Sequence, residues 1–293
     1  MATIVKRGGL FQRCNQTLSR LFSSDPTKFY DSQSGRWMNV PGAAGIRVHE
    51  RSPVSWSRET VPLAQRLRAL EKIVAAKPYS VELWGEAIED LTATAWSTAD
   101  GVRLAVRTDK PDNLRALCAA GVSEVAVEVT CEANIRERLQ VARQLVTTAS
   151  SLGMDVRAYI LNAFDGEAED ENLQFAYAQE ALISFADSGA NVIVLSDTLN
   201  KAHEESIREL VEEAFYIDVP GETMLERLGL SASLEHCETA VRLGVQHFDA
   251  SLRTKGDYGV PNTVELVKML AAQGKECRID RKALSALSNI KLG

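Results

Sequence analysis

The sequence predicts an α/β fold, a closed (βα)8 TIM barrel over residues 45–293, preceded by a leader and an extended arm. Three observations predict it. Strand-like and helix-like segments alternate eight times from Gly45 onward. Val192-Ile-Val-Leu195 is a short apolar run, as in a parallel strand buried on both faces, and it breaks into Ser196, Asp197 and Thr198. Three helices run into glycine and almost directly into a strand, at Gly121, Gly189 and Gly244, the short return that right-handed parallel crossovers use. Eight such units favour a closed barrel over a doubly wound open sheet.

The elements follow in order. Ile46 to His49 is short and β-prone, and Leu63 to Ala75 carries leucines at helical spacing. Tyr79 to Trp84 is the second strand, with a helix after it through Ala95. Val102 to Val106 is the third, and Asp112 is placed to cap the helix that runs to Ala120. Val122 to Val129 alternates as a fourth strand, followed by a long helix from Ala133 to Leu152 with Gly153 as its stop. Val156 to Leu161 is the fifth strand, with a helix from Asn172 to Ser188. Val192 to Leu195 is the sixth, with a helix from His203 to Ala214. Phe215 to Val219 reads as the seventh strand and residues 222–243 as its helix. Val245 to Asp249 is the eighth, with helices over Thr263 to Gln273 and 280–288.

Ahead of the barrel the composition changes. Residues 1–24 hold Lys6, Arg7, Arg13 and Arg20 and no acid, with interspersed hydroxyls and short apolar stretches. That is the composition of a mitochondrial targeting segment; the competing reading is a basic amphipathic helix that docks on a partner. Residues 25–44 show no clear period and are broken by Pro26, Pro41 and Gly42, which reads as an irregular arm with Trp37 and Met38 as anchors.

The chain of 293 residues has a net charge of -7, which argues against a nucleic-acid surface. No run of about 18 apolar residues occurs, so no transmembrane helix is predicted. The five cysteines are scattered without a C-x-x-C pair, as in a reducing compartment. No phosphate-binding G-x-x-x-x-G-K-[ST] loop and no G-x-S-x-G elbow is present. The acidic run from Asp165 to Glu171 lacks the spacing of a calcium loop. Arg136, Arg138 and Arg143 read as a solvated helix face.

Four segments carry a resemblance, the first two of them specifically. Val192-Ile-Val-Leu-Ser-Asp-Thr198 resembles the I-S-L-G-D-T strand of the 3-hydroxy-3-methylglutaryl-CoA lyases, and Gly244-Val-Gln-His-Phe-Asp-Ala-Ser251 resembles their G-V-x-x-F-D-A-S strand. Glu265-Leu-Val-Lys-Met-Leu270 is similar to the D-L-V-x-M-L helix that follows, and Leu117 to Val129 to a further helix–strand pair. The likeness spans roughly residues 45 to 275. It implies a metal-dependent lyase barrel that cleaves a C–C bond beside a tertiary alcohol, in which a divalent ion polarises the oxygens and a base removes the hydroxyl proton. In that family the ion is held by an Asp after an Arg on the first strand, by an H-x-H on the seventh and by an Asn near the end. A Cys in a glycine-rich loop serves the acid/base step.

This chain departs from that pattern. Arg51 is followed by Ser52, and Glu50 lies on the other side of the Arg. No H-x-H occurs; counting back from Asp249 without gaps puts Leu225 and Arg227 at those positions, and with a gap Ile217 and Val219. Val260 aligns with the Asn, with Asn262 two residues on, and the loop between Ser251 and Val264 has no Cys. What matches is Asp197, Thr198, Arg51 and Glu82, the last in Val81-Glu82-Leu83. As structural residues, an Asp at a strand end caps the following helix and Glu82 pairs with an Arg inside the barrel mouth.

The sequence is therefore read as a non-catalytic lyase-like barrel, a pseudoenzyme without a metal or other cofactor. Its expected place is mitochondrial, in the matrix or on the matrix face of the inner membrane. There it would serve as an accessory or scaffold subunit whose partners are other chains of a respiratory complex, the ATP synthase or the mitochondrial ribosome. Two alternatives stand beside it: a divergent lyase using Asp197, Glu82 and Arg51, and a regulator that binds an acyl-CoA without chemistry.

Overall fold

The computed structural model describes residues 28–31, 36–39, 45–51, 62–84, 101–132, 134–164, 171–219, 222–252 and 259–287. The leader, the helix expected up to Ala95, Ser52, the acids from Asp165 to Asp170 and residues 253–258 of the loop lie outside them. The chain divides into two units, Met1–Ala44 and Gly45–Gly293.

In the first unit β1 (Lys28–Asp31) pairs antiparallel with β2 (Arg36–Asn39), in the register Lys28↔Asn39 to Asp31↔Arg36. This corrects the expectation of an arm without regular structure. Phe29, Tyr30 and Trp37 are strand-forming residues, but each segment is too short to show a period.

The second unit is the barrel. Its strands are β3 (Arg47–Glu50), β4 (Ser80–Trp84), β5 (Arg103–Arg107), β6 (Glu124–Thr130), β7 (Asp155–Leu161) and β8 (Val192–Ser196). Beyond a two-residue pairing of β9 (Asp218–Val219) with β10 (Glu222–Thr223) come β11 (Leu228–Ser231) and β12 (His247–Ala250). The barrel strands are all parallel and close in the order β11-β12-β3-β4-β5-β6-β7-β8. The helices are α1 (Leu63–Ala75), α2 (Pro111–Ala119), α3 (Ile135–Ser151), α4 (Glu171–Asp187), α5 (Glu204–Phe215), α6 (Met224–Arg227), α7 (Leu234–Arg242), α8 (Thr263–Ala272) and α9 (Arg281–Leu287). The eight-strand closure, with helices between the strands, is the predicted fold.

Packing follows the pleat. Outward side chains such as Val125, Val156, Ile160, Ile193 and Leu195 are buried against the helical ring and form one continuous core with Leu139, Leu182, Ile207 and Leu266. Each such side chain contributes about 1.5–3 kcal/mol by leaving water. The glycines expected to stop helices, Gly121, Gly153, Gly189 and Gly244, all take left-handed φ between +74° and +93°.

Two local expectations are corrected. The N-cap of α2 is Lys110 with Pro111 at the first helical position, so Asp112 lies within the first turn, where its charge suits the helix dipole. The seventh barrel strand is β11, inside the segment read as helix, and not Phe215 to Val219. Leu-Gly-Leu-Ser has no β-branched residue, and the surrounding Leu and Glu spacing is helical. Gly229 sits in a crowded place: a Cβ there would lie 3.1 Å from Val194 Cγ2 and 3.2 Å from His247 Cβ, so its neighbours would have to give by a few tenths of an ångström.

Candidate functional site: the lumen and mouth of the barrel

Parallel closure puts every strand's C-terminal end on one rim, where barrels of this class place their chemistry. The inward row of side chains leading to that rim is charged. β3 contributes Arg47, His49 and Arg51; β4 contributes Ser80 and Glu82; β5 contributes Arg103 and Arg107; β6 contributes Glu124; β7 contributes Arg157 and Tyr159; and β12 contributes His247 and Asp249. Most of these are buried, Arg157 completely. A carboxylate or guanidinium in such a place must be paired or it costs several kcal/mol.

The upper cluster is built around Glu82. Its Oε1 accepts from Arg107 Nη2 at 2.7 Å and Nε at 3.1 Å, and lies 3.5 Å from Arg51 Nη2. Its Oε2 accepts from the Tyr159 hydroxyl at 2.6 Å. Arg51 Nη1 reaches both Asp249 Oδ2 and Ser231 Oγ at 3.3 Å. The Arg51 and Arg107 guanidinium carbons stand 4.8 and 5.1 Å from the Tyr159 ring centre. Burial pushes the Glu82 carboxyl up, but Arg51, Arg107 and Arg157 outweigh it and hold it at about 2. For Asp249 burial wins over Arg51 and Arg157, and its carboxyl is raised. Burial, with Asp249 and Glu82, drives the Tyr159 phenol well above its ordinary value, so it stays a donor.

The lower cluster joins the first and last strands. His49 Nε2 lies 2.9 Å from His247 Nδ1, His49 Nδ1 lies 2.8 Å from Ser80 Oγ, and His247 Nε2 lies 2.9 Å from Arg47 Nη1. Arg157 Nη2 contacts His49, donates to Ser80 Oγ at 3.0 Å and pairs with Glu124 Oε1 at 2.7 Å; its Nη1 is 3.8 Å from Asp249. Burial first, then the surrounding arginines, lower both imidazoles well below their ordinary value.

The residues singled out by sequence are now placed. Asp197 follows β8 at the rim. Its two oxygens accept from the Lys201 and Ala202 backbone amides at 2.8 and 3.1 Å, with His236 Nδ1 3.9 Å away. It ties the turn ahead of α5, whose own N-cap is His203. Thr198 Oγ1 donates to Asn162 Oδ1 and accepts from the Asn162 amide at 3.1 Å. Gly259 closes on this turn; a Cβ there would sit 2.9 Å from the Asp197 carbonyl, and φ is +70°. The structure therefore brings Arg51 and Glu82 together and leaves Asp197 and Thr198 in separate bonds on the rim. Glu50 points outward to Thr263 Oγ1 at 2.6 Å and the Leu252 amide at 3.2 Å.

The family's ligand positions need correction on the seventh strand. Leu225 and Arg227 lie on α6, before that strand, and Ile217 and Val219 earlier still. The strand ends on Ser231-Ala232-Ser233. Ser231 accepts from Arg51, and Ser233 Oγ accepts from the His236 amide at 3.5 Å as the cap of α7. Val260 is buried, and Asn262 caps α8 by accepting from the Val264 amide at 2.9 Å. Hydroxyls already engaged, an apolar side chain and a capping amide are poor donors for a hard divalent ion. Among the described residues no group of three His, Cys, Asp or Glu is arranged to hold a metal. The described residues at these positions do not fit the ion. The rim thiol Cys131 fits acid/base work no better: burial, with Glu132, pushes it up to about 12.

Sequence reasoning missed Arg107, Tyr159, Asp249, Arg157 and the histidine pair. A signal was there: Arg47-x-His49-x-Arg51, Asp155-x-Arg157-x-Tyr159 and Glu124-x-x-x-Glu128 place polar residues at even spacing, with buried apolar ones between them everywhere but at Glu50.

The HMGL-like family model matches residues 69–290. The chain is 24% identical to the cytoplasmic 3-hydroxy-3-methylglutaryl-CoA lyase of Danio rerio, over 80% of this chain and 78% of that one. It is similar in structure to the HMG-CoA lyase of Brucella melitensis, with a TM-score of 0.72 at 18% identity, covering 83% of this chain and 96% of that one. The hydroxymethylglutaryl-CoA lyase of Pseudomonas aeruginosa gives a TM-score of 0.71 at 18% identity, covering 85% and 92%.

Proposed function

The chain belongs to the HMGL-like family, and from that premise we propose that it is a non-catalytic member, a barrel used as an accessory or scaffold subunit of a mitochondrial assembly. The observation that carries this reading is the position of Arg51. It lies against Glu82, Asp249, Ser231 and the Tyr159 ring. The groups that would meet a substrate at the mouth are thus bonded to one another. Metal-assisted cleavage needs an ion held beside the substrate oxygens, and the donor set does not supply one. A fold with such a mouth acts through its surface.

The acid-free, basic composition of residues 1–24 supports import into mitochondria, to the matrix or the matrix face of the inner membrane. The partners on this reading are other subunits of a respiratory complex, the ATP synthase or the mitochondrial ribosome. The net charge of -7 makes direct RNA contact the least attractive role.

The test is native purification from mitochondria with mass spectrometry of the co-purifying chains. Migration in a large particle with defined partner chains supports the reading. A free monomer or dimer without other chains contradicts it. Thermal-shift titration with short acyl-CoAs separates the acyl-CoA-binding alternative, since a ligand of the native state raises stability.

A further inference from the structure

We propose that the lower opening of the barrel, where the strands begin, binds a small oxyanion on Arg47, beside Arg103 and Tyr79. The ligand carries a carboxylate or phosphoryl group, whose paired oxygens match a guanidinium fork.

Arg47 is the exception among the inward arginines. Arg51, Arg103, Arg107 and Arg157 each pair with two carboxylates. Arg47 pairs with none among the described residues. It touches His247 Nε2, and its guanidinium carbon stands 5.3 Å from the Tyr79 ring centre.

The contact with His247 is not a bond, because the protons of the histidine chain are already assigned by its neighbours. Arg157 is always charged and presses Nη2 against His49 Nδ1, so that nitrogen accepts and carries no proton. Neutral His49 then has its proton on Nε2 and donates to His247 Nδ1 at 2.9 Å. His247 in turn has its proton on Nε2, which donates to the Glu226 carbonyl at 3.1 Å. Ser80 Oγ accepts from Arg157 Nη2 at 3.0 Å and donates to His49 Nδ1 at 2.8 Å. The opposite arrangement would let His247 Nε2 accept from Arg47. It would also set the fully buried Arg157 against an imidazole N–H and take the donor from Glu226. Arg47 is only half-buried, so the cheaper arrangement leaves the conflict with it. Its Nη1 therefore faces, at 2.9 Å, a nitrogen that already carries hydrogen.

A half-buried cation with neither carboxylate nor acceptor is stabilised by an anion from outside. The charges at this end agree. Three guanidiniums, of Arg47, Arg103 and Arg157, meet two carboxylates, of Glu124 and Asp155. Solvent reaches the place: the Arg103 and Asp155 side chains are 35% and 32% exposed. The Arg103 guanidinium carbon stands 5.6 Å from the same Tyr79 ring centre. Its own carboxylates occupy it, so Arg103 adds field and Arg47 supplies the fork. This end is opposite the rim that holds Asp197. The inference does not rest on the non-catalytic reading, and either can fail alone.

Thermal-shift titration of the purified full chain with inorganic phosphate and, separately, acetate tests it, at ionic strength held constant with sodium chloride. A saturable rise in melting temperature is expected with at least one of them, roughly 2–4 °C at about ten times a Kd near 1 mM. Saturation by phosphate alone identifies a phosphoryl ligand, and by acetate alone a carboxylate. Arg47→Gln is expected to weaken binding at least about tenfold, whereas Arg208→Gln, on the outer helix α5, keeps the wild-type affinity. Nitrogen-15 NMR of histidine-labelled wild type reads the premise without any variant: His49 and His247 are both expected to be neutral with hydrogen on Nε2. The proposal is overturned if neither anion gives a saturable shift, or if Arg47→Gln binds as wild type does. A His247 whose Nε2 carries no hydrogen also overturns it, since Arg47 would then be satisfied within the chain.

Discussion

β7 and β8 are neighbours in one parallel sheet, paired Arg157↔Val192, Tyr159↔Val194 and Leu161↔Ser196, and they solve the same problem differently. Their outward rows agree: Val156, Ala158 and Ile160 on one and Ile193 and Leu195 on the other are fully buried against the helices. Their lumen rows do not. β8 fills its share with Val192 and Val194, whereas β7 sends in a guanidinium and a phenol. The outer rows of these two strands are packed into the hydrocarbon core, so a charge there would have no partner of the kind Glu50 finds in Thr263. The lumen is narrow enough for strands on opposite sides to meet, so a charge from β7 finds Glu124, Glu82 and Asp249 within reach. Polarity in this barrel is decided by what lies opposite, not by depth.

The comparison can be broken most severely at Arg157. Arg157→Met has nearly the same volume but takes from buried Glu124 its 2.7 Å partner, leaving it Arg103 at 3.4 Å, and leaves Asp249 to Arg51 alone, and is expected to cost about 3–5 kcal/mol in a urea titration. Adding Glu124→Gln is expected to return part of that, because the uncompensated charge goes with it. A neutral or stabilising Arg157→Met would show that the lumen pairs do not hold the strands together.

The histidine pair comes next. Both imidazoles are held low, His49 by burial and then Arg157, His247 by burial and then Arg47. The unfolded chain takes up protons that the folded one refuses. Their contribution is therefore complete above about pH 6.5 and falls as the solution is acidified below it. The melting temperature is expected to drop between about pH 7.5 and 5.5, with a smaller slope in His49→Gln. An unchanged slope would mean that other groups set the acid sensitivity. The smallest effect belongs to β8: Ile193→Val, which removes one buried methylene and touches no charge, is expected to cost about 0.5–1.5 kcal/mol and to leave the pH slope as it is.

The same contrast explains how much was readable in advance. Val192 to Leu195 announces itself as a strand because both of its faces are apolar, and the glycines at 121, 153, 189 and 244 announce the helix ends. β11 does not, since Gly229 sits in a crowded place and Ser231 is there for its hydroxyl, and neither favours a strand. The alternation in β3, β6 and β7 was visible, but a polar row at even spacing ordinarily faces water; only closure turns it into a lumen. Arg51, Glu82 and Asp197 could be named one at a time. Their partners Arg107, Tyr159 and Asp249 come from other strands, and only the fold brings the first two of the three together with them.

The most direct test is metal content and lyase turnover in one preparation. The purified chain is exchanged into manganese or magnesium, desalted, analysed for bound metal and assayed with 3-hydroxy-3-methylglutaryl-CoA. With Arg51 seated among Glu82, Asp249 and Ser231, substoichiometric metal and no C–C cleavage are expected. A stoichiometric bound ion, with turnover that disappears in Asp197→Asn, would contradict the account and make this chain a working lyase.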